Sequence, residues 1–90
     1  MAIVHFTQAL KRFYPQLKPL ELEAQTVQDV LKVVEQHYPG INSYLLDDQG
    51  RLRKHVNIFV DGSLIKDRET LQDTLGPQGE VYIMQALSGG

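Results

Sequence analysis

Ninety residues with 42% apolar and 22% charged side chains make a single domain with one modest core, and exclude both a disordered chain and a two-domain protein. A formal net charge of −2 at pH 7 supplies no basic face of the kind that announces nucleic-acid binding, so no nucleic-acid partner is expected. The chain has no cysteine, which removes disulfides, thiolate metal sites and a thiol nucleophile; sulfur chemistry here would need sulfur brought from elsewhere.

Ala2-Ile3-Val4-His5-Phe6-Thr7 is short and β-rich and predicts a strand. The stretch is too short for a signal-peptide core, lacks a basic segment before it, and no run in the chain approaches a membrane span, so a soluble cytoplasmic protein is expected. Residues 8–18 mix Gln, Lys, Arg and aromatics around Pro15 and read as an irregular connection. Leu20-Glu21-Leu22-Glu23-Ala24 alternates apolar and charged residues, the pattern of a half-buried strand, predicted to pair antiparallel with the first.

The main helix is announced by Thr26 followed by Asp29, a variant capping box, and by Val27, Val30, Leu31, Val34 and Tyr38 at helical spacing. Pro39-Gly40 ends it. Its β-branched residues lower intrinsic helix propensity, so it depends on docking against a sheet. Ile41–Leu46 predicts a short helical turn, and Asp47-Asp48-Gln49-Gly50 a reverse turn.

Within Arg51–Val60 lies the strongest strand: Val56, Ile58 and Val60 point one way, His55, Asn57 and Phe59 the other. Asp61-Gly62 is a tight-turn signal, and Ser63-Leu64-Ile65 a short edge strand. Leu71 to Leu75 suggests a brief helix ended by Gly76-Pro77, and Val81–Leu87 is the last strand. The order predicts an α+β, β-grasp (ubiquitin-like) fold: a mixed sheet of four to five strands, the last strand parallel beside the first, one main helix on one face and the other face open. Residues 1–87 form the domain and 88–90 a flexible tail.

That tail, Leu87-Ser88-Gly89-Gly90, follows directly on the last strand. Extended, these four residues reach roughly 13 Å, and two glycines carry no side chain to obstruct a narrow slot in another protein. An incidental pair of terminal glycines arises by chance in about one chain in 200, at roughly 7% Gly usage, so the pair alone does not decide function.

His37-Tyr38-Pro39-Gly40-Ile41 after the helix, then Leu45-Leu46-Asp47-Asp48-Gln49-Gly50-Arg51-Leu52-Arg53, then Val56-Asn57-Ile58-Phe59-Val60-Asp61-Gly62 and the final Gly89-Gly90, in β-grasp order, resemble the MoaD/ThiS ubiquitin-like sulfur carriers, nearest the CysO-type branch. The chain departs from that family at Gly76-Pro77-Gln78-Gly79-Glu80, where a Gly-Asp turn is common, and at Gln85, where a Pro is often found.

The resemblance implies a carrier or co-substrate rather than an enzyme, with no catalytic residue of its own and no bound cofactor. Gly90 would hold the carboxylate that becomes a thiocarboxylate, Gly89 would keep its approach open, and Ser88 and Leu87 would set depth in the partner's channel. The implied partners are an E1-like (MoeB/ThiF-type) adenylyltransferase using ATP and Mg, a sulfur donor such as a sulfurtransferase, and a sulfur-accepting biosynthetic enzyme for cysteine, a cofactor or a secondary metabolite. Two alternatives share the fold: a protein modifier conjugated through Gly90 to target lysines, and a binding module whose glycines are incidental.

Docking is expected on the uncovered sheet face, at Phe59, Tyr82 and Met84 with Leu87, if Val81 and Ile83 face the core. His5, His37 and His55 match no zinc spacing and read as surface or sheet-edge residues. Residues 47–50 lack the acids of a calcium loop, and 76–79 are not a phosphate loop. Lys11, Arg12, Lys18, Arg51, Arg53 and Lys54 are candidates for a basic cluster that steers an acidic partner.

Overall fold

The alternating apolar residues of the first and last strands decide the sheet. In the computed structural model, which describes residues 1–85, β1 (Ala2–Phe6) pairs antiparallel with β2 (Leu20–Leu22), Ile3 opposite Glu21. On its other side β1 runs parallel to β5 (Glu80–Gln85), Val4 beside Val81 and Phe6 beside Ile83. β5 in turn pairs antiparallel with β3 (Val56–Val60), which carries the short β4 (Ser63–Leu64) on its outer edge. The sheet order is β2-β1-β5-β3-β4, the expected β-grasp arrangement, with five strands among the described residues and β5 at its centre.

Among the described residues three helices accompany the sheet. α2 (Val27–His37) is the main one, and Val27, Val30, Leu31 and Val34 are all buried in the core with Val4, Val56, Ile58, Val81 and Ile83. Tyr38 packs half-buried at the stripe's end. The Thr26 hydroxyl accepts from Asp29 N at 3.2 Å, as the capping pattern predicts, while the Asp29 carboxylate reaches back to Gln25 N rather than to Thr26 N. α3 (Asn42–Leu45) fulfils the short turn, and the Glu35 carboxylate accepts from Gly40 N and Asn42 N at its start. Those two amides hold the Glu35 carboxyl below its ordinary value.

Two expectations fail locally. Residues 8–18 are not wholly irregular: α1 (Gln8–Lys11) is a single helical turn, formed because it drives Leu10 completely into the core. Residues 71–75 are not helical. Leu71 takes a positive φ of 61°, Thr74 bridges Thr26, and the carbonyls of Leu71 and Asp73 accept from Gln28 N and Val27 N. The loop stays open because its carbonyls satisfy the unpaired first amides of α2.

The turns behave as their residues dictate. Asp61 and Gly62 both have positive φ, 51° and 85°, which closes the β3–β4 hairpin with the local twist that strands prefer. Asp47 Oδ1 accepts from Gln49 N and Arg51 N, and Asp47 Oδ2 pairs with Arg51 Nε at 3.2 Å. No helix among the described residues is long and apolar enough to cross a membrane.

Candidate functional site

The side of β5 turned away from α2 is the face left open. Alternation on β5 buries Val81 and Ile83 and turns Tyr82 and Met84 outward, 37% and 38% exposed. Register does the rest: Phe59 of β3 stands opposite Tyr82, so the three residues expected at the docking face meet. With Gly62 they line a shallow hollow of about 230 Å³, and none of these four residues is charged. Gly62 is there for its positive φ, since a Cβ at that position would meet nothing within 4 Å. Gly90, Gly89, Ser88 and Leu87 lie outside the described residues.

Neighbours missed in the sequence complete the face. His5 of β1 stands beside Tyr82, and the two rings stack with centroids 4.4 Å apart and planes 14° from parallel. His5 Nε2 lies 3.4 Å from Glu80 Oε2, out of hydrogen-bond alignment, and the Tyr82 hydroxyl is 3.4 Å from the same oxygen. Tyr82 is thereby braced from two sides, which restricts its rotamer freedom. Leu64, opposite Phe59, extends the row to the edge strand and is 49% exposed. The run His5–Tyr82–Phe59–Leu64 thus crosses four strands. Only period-two alternation on each strand hinted at it; the register that aligns them is long-range.

The other candidates are dispersed. His5 sits on an interior strand rather than a sheet edge, His37 ends α2 with its ring on Val33 O, and His55 lies exposed in the turn before β3. Among the described residues no three His, Asp or Glu group as metal ligands. Of the basic candidates, Arg51 is spent on Asp47, whereas Arg53 donates to Ser43 O at 3.0 Å.

Comparison with known proteins places this geometry. A family model described as the ThiS family matches residues 4–90. No curated protein matches the chain. Among solved structures, the Amycolatopsis orientalis BexX/CysO complex contains a chain 20% identical with TM-score 0.83, the match covering 100% of both chains. Mycobacterium tuberculosis CysO is 24% identical with TM-score 0.81, covering 97% of this chain and 100% of its own. Small archaeal modifier protein 1 from Methanosarcina acetivorans is 24% identical with TM-score 0.78, covering 99% and 95%. At these identities the structural likeness speaks to the β-grasp fold, and the family match, which spans nearly the whole chain, speaks to descent: the chain belongs to the ThiS family.

Proposed function

We propose that this protein is a sulfur carrier whose Gly90 carboxylate is activated by an E1-like adenylyltransferase and converted to a thiocarboxylate. The observation that carries the reading is the match to the ThiS family running through Gly90, so that Gly89 and Gly90 fall inside it. An α-carboxylate with a pKa of about 3.3–3.7 is ionised at neutral pH and attacks the α-phosphorus of ATP, expelling pyrophosphate. The terminal sulfur of a donor persulfide then attacks the acyl carbon and expels AMP. A second donor thiol cleaves the resulting acyl disulfide, leaving the thiocarboxylate here and a disulfide on the donor. ATP, Mg and the catalytic groups belong to the partner, and this chain supplies the reacting atom and a docking surface. The apolar hollow at Phe59, Tyr82 and Met84 supports docking through the open face.

Intact mass spectrometry of protein recovered from its native cells tests the proposal: one oxygen of the Gly90 carboxylate is replaced by sulfur. Deleting Gly90 abolishes activation by the adenylyltransferase while the fold survives, and Gly90→Ala impairs it, because a Cβ then crowds the reacting carbon. Full activity of the deletion variant would refute the reading. The likeness to small archaeal modifier protein 1 favours one second reading, conjugation of Gly90 to target lysines. The same spectra distinguish it, as a ladder of lysine conjugates in place of a sulfur-bearing free chain.

A further inference from the structure

The turn that leads into β3 lies at the end of the sheet where β5 finishes. Val56, the first residue of β3, stands opposite Gln85, the last of β5. Arg53 closes this turn, its carbonyl accepting from Val56 N at 3.0 Å, and Lys54 and His55 are exposed at the tip. Behind it, Arg68 donates to Arg53 O at 2.6 Å, to Val56 O at 2.8 Å and to Asn57 Oδ1 at 3.2 Å. A guanidinium spent on three neutral acceptors keeps its full positive charge and fixes the loop that carries the others.

Neither Arg53 nor Arg68 has an ion-pair partner among the described residues. Two of the four nearby carboxylates are occupied: Asp47 with Arg51 and backbone amides, Asp67 with the amides of residues 69, 70 and 72 and the Thr70 hydroxyl. Asp48 and Glu69 are exposed in the same loops, so the positive field belongs to the turn rather than to the whole loop region. At the other end of the sheet the sign reverses: Glu21 and Glu80 flank Ile3 on β2 and β5, Glu23 follows β2, and Asp61 Oδ1 accepts from Glu80 N.

We propose that the Arg53–Val56 turn, with Lys54 at its tip and the Arg53 and Arg68 guanidiniums behind it, is a basic docking collar for an acidic protein surface around the slot that receives the chain beyond Gln85. This rests on the carrier reading above and adds the kind of surface that the activating partner presents. Reach decides against the nucleotide as the collar's ligand. Gly90 comes five residues after Gln85, a span of roughly 17 Å if the partner's slot holds them extended, which would keep phosphates at the reacting carboxylate away from the turn. The acidic groups it meets are those at the mouth of the slot. The acidic far end of the sheet repels the same surface, which orients the encounter.

The test measures binding of the E1-like adenylyltransferase of the same organism to the wild-type chain, to Lys54→Glu and to Glu23→Lys, across ionic strength. The collar predicts that Lys54→Glu weakens association about tenfold at low salt, that the difference closes at high salt, and that Glu23→Lys does not weaken it. Equal effects of the two reversals, or none from Lys54→Glu, overturn the collar. If the adenylyltransferase does not bind the wild-type chain at all, the carrier reading fails. A poly-L-glutamate peptide titrated into the isotope-labelled chain then decides the collar separately. Amide shifts confined to Arg53–Asn57 and Arg68 uphold it; shifts elsewhere, or none, overturn it.

Discussion

On one side of β5, Val81 and Ile83 are fully buried in the core shared with Val30 and Val34; on the other, Tyr82 and Met84 stand more than a third exposed, although all four belong to one strand. The buried side is what holds the sheet to α2. The exposed side contributes little to that packing, and is therefore free to present an aromatic–methionine surface to another protein. The comparison teaches that a sheet covered on one face separates, residue by residue, the side chains that hold the fold from those left open to solvent or a partner.

Paired substitutions break or sharpen this separation. Ile83→Ala leaves a cavity in a closed core and costs about 3 kcal/mol in urea unfolding, a large share of the roughly 5–15 kcal/mol that holds a domain together. Met84→Ala, one residue along, changes stability by less than about 0.5 kcal/mol. A comparable loss at both positions would show that the open face is a second core. Arg68→Ala removes the donors on Arg53 O, Val56 O and Asn57 Oδ1 and costs about 2 kcal/mol, read from the same unfolding curves. Thr26→Ala, which removes the cap on Asp29 N, costs about 1 kcal/mol.

A further effect is set by pH and concerns neither face of β5. Hydrogen bonds from Thr70, by its hydroxyl and its amide, and from the amides of Gln72 and Glu69 hold the Asp67 carboxyl down at about 2. A carboxyl depressed in the folded state stabilises it above the unfolded value of about 3.9, and that contribution fades as pH falls toward the folded value. Melting temperatures of the wild type therefore drop between about pH 4 and pH 2 more steeply than those of Asp67→Asn, whose melting is already lower at neutral pH. Parallel curves for the two proteins would show that Asp67 does not couple the 67–72 loop to the fold.

Most of the fold was legible because it is written in short-range periods. Val27, Val30, Leu31 and Val34 at helical spacing, and Val56, Ile58, Val81 and Ile83 at every second position, each name their buried face without reference to any other segment. Asp61-Gly62 and Pro39-Gly40 likewise act through their own backbones. The outward placement of Phe59, Tyr82 and Met84 followed from the same alternation. By contrast, α1 forms because the core has room for Leu10, and residues 71–75 stay open because α2 needs their carbonyls. A four-residue helix or an extended loop has too little local preference to declare itself.

The sequence alone therefore determined the longer elements, α2 and the strands, and which face of each is apolar, since these depend on residues a few positions apart. Tertiary structure decided that His5 stacks on Tyr82, that Arg68 reaches across to the Arg53–Val56 turn, and that this turn stands beside the end of β5. Such meetings are fixed by strand register and loop closure over long separations, to which composition and periodicity are blind.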